Sequence, residues 1–461
     1  MSEPLWTAEE ILQATGGRGA GGHCTGVTFD SREVGHGDLF VALRGVRDGH
    51  DFVPQALEQG AACVLVARDM GVAAQVIVPD TLKGLEALAV AARERAPAKR
   101  AAITGSVGKT SATRAIDAAL KLAGASHASV KSYNNHIGVP LTLARMPRDT
   151  ERAVFEIGMN HAGEIGPLSQ LVHPDVALVT TVGPVHTENF EDREEGVARA
   201  KAEIFQGLKA GGAVVLNADN AWFDLLKAEA DAAGAWVVAF GTGANADARL
   251  DEFQPGEGSA QVKATLHGKP LEFSLLQTGL HWGLNSLAVL LVLEALDVPV
   301  ETGVQALAGF APLEGRGAER TVRLDGGVFQ LVDESYNANP ISMAAAFASL
   351  GRRPGRRVAV LTDMLELGPD APRFHAGLAQ PIDAAGVDLV FCAGPQMKAL
   401  WDSLPAARQG AYASSAADLA PLLVEAVRPG DVVMVKGSNG SKAATLAAAL
   451  VQAGAAGPEP A

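Results

Sequence analysis

A chain of 461 residues, 48% hydrophobic and 20% charged, has apolar material for several packed cores, which excludes wholesale disorder. Its formal net charge of −14, from 38 basic and 52 acidic side chains, lacks the basic bias of nucleic-acid and membrane-surface proteins, so no nucleic acid and no membrane is expected as a partner. The cysteines, Cys24, Cys63 and Cys392, have no CxxC spacing and imply a reducing compartment without a disulfide or thiolate–metal framework.

The opening stretch, MSEPLWTAEEILQATGG, has neither a basic start nor a long apolar core, so no signal peptide is expected and the chain is assigned to the cytoplasm. Thr7, with Glu10 three positions on, reads as a capping box that opens a helix. Short strands at GVTF, LFVAL and CVLVA follow between Gly- and Asp-rich turns, and the first domain is expected over 1–98. The basic, Pro-containing AARERAPAKR gives way to AAITGS, where a second domain begins, expected over 99–313. Within it RAVFEIG, DVALVTTVG, AVVLNA and WVVAFG alternate with helical stretches, the pattern of a parallel sheet covered on both faces. LNSLAVLLVLEALDVPV is the longest apolar helical candidate; Glu294 and Asp297 interrupt it, and it is too short to span a bilayer. A Gly- and Pro-rich break at LAGFAPLEGRGAERT precedes a third domain, expected over 314–461, with VFQLVDE, RVAVLTD, LVFCAG and DVVMVKG as strands. No internal repeat is present, and the expected fold is α/β with three domains.

Residues 103–111, ITGSVGKTS, lie between an apolar run and ATRAIDAALKLAG, which reads as a helix. Glycines let the backbone turn tightly so that successive N–H groups face phosphate oxygens, and the helix start adds the positive end of its dipole. Lys109 can bridge β- and γ-phosphates, and the Thr110 hydroxyl can ligate Mg²⁺. Gly105, Ser106, Val107, Gly108, Lys109, Thr110 and Ser111 are therefore candidate contacts to ATP or a related nucleotide. The spacing GxxxxGK[ST] would put its first glycine at 103, which is Ile103, so this loop starts later, as TGxxGKT. A carboxylate must serve the metal. Glu156, ending AVFEIG, would lie beside the loop on a neighbouring parallel strand, while Asp333-Glu334 resembles a Walker-B strand end beyond the domain break.

TGSVGKTS, YNNHIGVPLTL, EIGMNHAGEI, TTVGPVHTENF, ARAKAEIFQGL, DESYNANPISM and DMLELG, with DSREVGHGDLFVALRG near the start, together resemble the ATP-dependent Mur ligases of peptidoglycan synthesis over nearly the whole chain. The resemblance implies a central P-loop parallel-sheet ATPase domain between an N-terminal α/β UDP-binding domain and a C-terminal Rossmann-like domain. It implies a monomeric ligase that uses ATP and Mg²⁺ to join D-alanyl-D-alanine to UDP-N-acetylmuramoyl-tripeptide through an acyl phosphate, and with it a part in cell shape and division. By the same resemblance Lys109, Lys201 and His186 are catalytic, and Thr110, Glu156, His186 and Lys201 serve the metals, with Lys201 as a carbamate. Read from the residues alone, Lys201 is an exposed helical lysine paired with Glu203 or Glu195, and His186 a hydrogen-bonding loop histidine.

The resemblance also places Asn134 and Asn135 at the acyl substrate, although an Asn-rich turn explains them equally. Asn285 falls where adenine is read; GLHWGLNSL departs there from G-R-H-N-x-x-N, with Leu280 and Trp282 for Arg and Asn. Arg316, Asp333, Tyr336 and Asn337 fall where the third domain approaches the nucleotide, Asp333 toward the ribose. Ser31, Arg32 and His50 fall near the uridine diphosphate, with a local turn and ion pair as the alternative for the first two. VKGSNGSK has Asn439 in place of an arginine, with Lys436 or Lys442 as possible substitutes. A relative that adds a diamino acid would carry DNP[RK], and a GTPase switch NKxD; neither string is present.

Overall fold

A computed structural model describes residues 3–130, 132–185, 187–256 and 258–455. The first helix, Ala8–Thr15, starts where the sequence places it. Thr7 Oγ1 accepts from the Glu10 N–H at 3.2 Å and Glu10 Oε2 accepts from the Thr7 N–H at 2.9 Å, closing the capping box. Five short strands follow: β1 (Arg18–Ala20), β2 (Gly26–Thr28), β3 (Asp38–Val41), β4 (Cys63–Val66) and β5 (Gln75–Ile77). They pair in the order β1-β5-β4-β3-β2, parallel except at β1. The core under this sheet borrows Leu141 and Ala144 from the helix Gly138–Ala144 further along the chain, and Trp6 Nε1 donates to Ala144 O at 2.8 Å.

The central sheet has nine strands: β6 (Lys99–Thr104), β7 (Ser126–Ala128), β8 (Arg152–Glu156), β9 (Val176–Val179), β10 (Ala213–Asn217), β11 (Trp236–Gly241), β12 (Ala248–Pro255), β13 (Ala260–Leu266) and β14 (Lys269–Leu275). Their order is β14-β13-β12-β11-β10-β9-β6-β8-β7. From β7 to β12 all pairings are parallel, as the alternation of apolar runs and helices predicts. Successive residues of β6 serve opposite faces: Ala101 and Ile103 enter one core, Ala102 the other. Beyond these parallel strands, β13 and β14 add an antiparallel edge. Burial alternates along AQVKATL of β13, so one face packs and the other meets water.

The third sheet uses β15 (Ala318–Leu324), β16 (Gly327–Glu334), β17 (Arg356–Thr362), β18 (Leu389–Ala393), β19 (Gln409–Ala413) and β20 (Asp431–Lys436), in the order β15-β16-β20-β17-β18-β19. It is parallel except for β15. In β17, Val358 and Val360 face one apolar layer and Ala359 and Leu361 the other, so both faces are covered. The architecture is α/β throughout. Among the described residues, no helix is long and apolar enough to cross a membrane.

The units built on the central and third sheets touch. A Cβ at Gly183 would lie 1.9 Å from Ile341 Cδ1, so a side chain here would require Ile341 to move. Arg193 pairs with Asp370 at 2.6 Å, and Glu319 accepts from Thr278 Oγ1 at 2.6 Å and from Arg353 at 2.5 and 2.9 Å.

Candidate functional site

The phosphate loop leaves the C-terminal end of β6 and enters the helix Lys109–Ala123. Gly105 at φ +145° and Gly108 at φ +89° take conformations that side chains disfavour. A Cβ at Gly105 would also lie 1.9 Å from Thr180 Oγ1. The chain after β9 braces the loop: Thr180 Oγ1 donates to Val107 O at 2.5 Å, and the Ser106 N–H donates to Thr181 O at 2.8 Å. Ser106 Oγ donates to Gly183 O at 3.2 Å and accepts from its N–H at 3.1 Å. Lys109 Nζ folds back onto Gly105 O at 2.7 Å. Ile103, where the longer spacing would want glycine, is a buried residue of β6.

Parallel register sets Ile103 opposite Glu156, two residues before the loop, which puts the Glu156 carboxylate beside it. Glu156 is buried and accepts from Asn134 Nδ2 at 2.7 Å. Asn135 does other work: its Oδ1 accepts from the N–H groups of Ile137 and Gly138 at 3.1 and 2.9 Å, turning the chain into the next helix. The reading of Lys201 as an exposed, paired lysine is corrected, since it is 2% exposed and makes no ion pair among the described residues. Glu195 pairs with Arg199, and the Glu203 carboxylate accepts from the N–H groups of Gly163, Ile165 and Gly166. Burial, reinforced by the Lys109 charge, holds the Lys201 ammonium well below the ordinary lysine range. Burial also lowers Lys109, with Glu156 opposing and Arg316 adding to the shift. His186 lies outside the described residues.

A cleft of about 470 Å³ opens between this loop and the third sheet. One wall carries Ser106 to Ser111, Asn134, Glu156 and Asn285, the last on the helix His281–Ala295. The opposite wall carries Arg316, whose guanidinium lies 4.1 Å over the Tyr336 ring, with Glu334, Asn337, Asn339 and Lys436. Asp333 is corrected: it is absent from the lining, because its carboxylate accepts from the N–H groups of Gly315 and Ser335 at 3.3 and 3.1 Å. Strand alternation turns its neighbour Glu334 into the cleft instead, where Lys436 Nζ donates to Glu334 Oε2 at 3.2 Å and to Asn337 O at 3.1 Å. Both carboxylates of Asp333-Glu334 are legible in the sequence at this strand end, but the resemblance directs Asp333 toward the ribose. Trp282 is buried beside Phe310, with ring centroids 5.7 Å apart.

In the first sheet's unit the expected ligand residues are engaged locally. Arg32 pairs with Asp30 at 2.6 Å and is 80% exposed, the turn-and-ion-pair arrangement, while Ser31 Oγ donates to Gln55 Oε1 at 2.9 Å. His50 is corrected as a substrate contact. It is fully buried, with Nδ1 at 2.5 Å from Asp48 Oδ1 and Nε2 accepting from the Ala67 N–H at 2.8 Å, so neither ring nitrogen is left for a ligand. A smaller cavity of about 210 Å³ lies where Leu43, Arg44 and Thr81 face His136 and Ile137.

Three family models match successive segments of the chain. Residues 23–102 match the model of the Mur ligase family catalytic domain, 103–293 that of the Mur ligase middle domain, and 320–439 that of the Mur ligase glutamate ligase domain. The chain is 31% identical over 425 residues to the UDP-N-acetylmuramoyl-tripeptide--D-alanyl-D-alanine ligase of Rickettsia prowazekii, covering 91% of this chain and 94% of that one. MurF from Acinetobacter baumannii superposes with a TM-score of 0.87 at 28% identity, over 97% of this chain and 99% of its own. MurF from Thermotoga maritima, solved in complex with ADP, gives 0.80 at 25% identity over 93% and 97%.

Proposed function

Because the chain belongs to the Mur ligase family, we infer that it is an ATP-dependent ligase joining D-alanyl-D-alanine to UDP-N-acetylmuramoyl-tripeptide in peptidoglycan precursor synthesis. The observation that carries this reading is one cleft in which a phosphate loop, a buried carboxylate and a wall from another sheet face each other. A free carboxylate is a poor acyl donor because oxide is a poor leaving group. Transfer of the ATP γ-phosphoryl to the tripeptide carboxylate would give an acyl phosphate, which the dipeptide amine attacks with loss of phosphate. Both steps gather charge on oxygen, and free loop N–H groups, Lys109 and Arg316 would meet it. The third sheet's wall would exclude water that otherwise hydrolyses the acyl phosphate.

The donors present fit magnesium. Thr110 and Glu156 offer oxygen, which a hard cation prefers, and phosphate oxygens and water would complete its shell. Among the described residues no group of three His, Cys, Asp or Glu side chains forms a cage of its own. Magnesium would neutralise phosphate charge during transfer. Lys201 fits a carbamate: burial disfavours its ammonium, and the amine form has a lone pair that can add to the carbon of CO₂, with loss of a proton. The product would place an anionic oxygen ligand where an ammonium otherwise repels Lys109. We further assign Asn285, Arg316, Tyr336 and Asn337 to the nucleotide, with Glu334 at its sugar in place of Asp333, Asn134 to the acyl substrate, and the first unit to the UDP sugar. The enzyme is taken as a cytoplasmic monomer with units at 1–98, 99–313 and 314–461, serving cell shape and division.

The decisive assay is ATP-dependent phosphate release with UDP-muramoyl-tripeptide and D-alanyl-D-alanine supplied separately and together. Release should need both, and single amino acids should not replace the dipeptide. Equal release without either peptide would instead indicate a P-loop switch.

A further inference from the structure

The helix Pro340–Leu350 begins at the cleft wall with Asn339 as its cap. Asn339 Oδ1 accepts from the Ser342 N–H at 2.9 Å, and the Asn339 N–H donates to Ser342 Oγ at 3.0 Å. That reciprocal box decides which way the amide points, since a flipped group would set NH₂ against an N–H. The consequence is an orphan. Asn339 is 2% exposed, and its Nδ2 finds no acceptor among the described residues. A buried donor left unmade is costly, so this one calls for an acceptor supplied from outside the chain.

Its surroundings say which kind. Pro340 has no N–H and Ser342 spends its own on the cap, which leaves the Ile341 N–H at the positive end of the helix dipole. Lys436 Nζ is buried in the same cleft and uses two of its three protons on Glu334 and Asn337. An amide NH₂, a helix start and an ammonium make a donor set for an anion.

We propose that this corner binds the C-terminal carboxylate of the incoming dipeptide, with Asn339 Nδ2 as a specificity-determining donor. The proposal rests on the ligase reading. That reaction must tell two carboxylates apart: one is to be phosphorylated at the loop, and the other must be kept from it. The loop has its own donors for phosphate; Asn339 sits on the opposite wall, carried by the third sheet's unit, beyond the Arg316 and Asn337 side chains assigned above to the nucleotide and at the start of the helix Pro340–Leu350. An extended dipeptide spans about 7 Å, so anchoring its carboxylate here aims its amine back across the cleft.

Asn339→Asp tests this without dismantling the cap. The aspartate keeps the oxygen that accepts from Ser342 and replaces the donor by a negative oxygen, so the thermal midpoint should hold or rise. The expected result is a KM for D-alanyl-D-alanine raised by about tenfold or more, with the KM values for ATP and UDP-muramoyl-tripeptide within about twofold of wild type. Asn339→Ser, which keeps a cap and removes the donor without adding charge, should raise the same KM by a smaller factor. With D-alanyl-D-alaninamide, which lacks the carboxylate, wild type and Asn339→Asp should become equivalent. An unchanged dipeptide KM in folded Asn339→Asp overturns the proposal. So does a rise confined to ATP, which would make the anion a nucleotide phosphate, or an equal penalty with the amide, which would make the effect one of packing. If wild type itself shows no dipeptide-dependent phosphate release, the ligase reading fails instead.

Discussion

Lys201 shows how far a residue's chemistry depends on where the fold puts it. In the sequence it is one of several charges in EEGVARAKAEIF; in the folded chain it is buried without an ionic partner among the described residues, and the Lys109 charge acts on it. Replacing Lys201 with Ala should lower turnover by about 100-fold or more, and added bicarbonate should not restore the variant. Wild type stripped of CO₂ should lose activity and regain it with bicarbonate; a rate indifferent to bicarbonate would rule out the carbamate. Lys109→Ala should remove turnover while leaving the thermal midpoint nearly unchanged, because among the described residues its ammonium bonds to the loop's own Gly105 O at 2.7 Å, and its charge opposes that of Lys201. Full activity in that variant would contradict the phosphate-loop assignment. The loop lysine was legible because its glycine neighbours and following helix lie within a few residues. Glu334 was not, because choosing between two adjacent carboxylates requires knowing which face of β16 meets the cleft.

At the scale of elements, the phosphate loop owes its shape to a contact made 75 residues on in the chain, from Gly105 to Thr180. Gly105→Ala meets both a positive φ and the Thr180 hydroxyl, and it should destabilise the protein by about 1–3 kcal/mol and raise the KM for ATP. Denaturant titration and ATP saturation curves measure the two effects; a variant unchanged in both would mean that the loop can relax away from Thr180. Thr180→Ala should relieve part of the penalty by removing the atom that the new Cβ meets. The first helix start was the most readable element, since the Thr7–Glu10 box is written in four consecutive residues. The β12–β14 edge was missed although AQVKATL alternates in the expected way. Alternation marks a strand, but the antiparallel partner is set by a turn and by the register of the neighbouring strand.

For the whole molecule, the polar ties between the units of the central and third sheets include Thr278–Glu319–Arg353. Burial raises the Glu319 pKa, yet the bonds from Arg353 and Thr278 outweigh it and hold the carboxyl below the usual glutamate range. A carboxylate lowered on folding stabilises fully above its unfolded value, about 4.3, and loses that contribution as pH falls through the folded value. Thermal midpoints should therefore drop on acidification below about pH 4.3, and Glu319→Gln should flatten that part of the profile. Parallel profiles for the two proteins would show that this tie contributes nothing to stability.

What the sequence by itself determined is what depends on near neighbours: the strand runs, the capped helix starts, the glycine-and-lysine loop and the division into three α/β blocks. Only the tertiary structure decided that Glu334 rather than Asp333 faces the cleft, that His50 is spent internally, that Lys201 is buried with its ammonium disfavoured and that Asn339 keeps a donor unused among the described residues. The reason is physical. Burial, desolvation and the charge of a distant lysine are set by residues far apart in the chain, and no local pattern records which of them will meet.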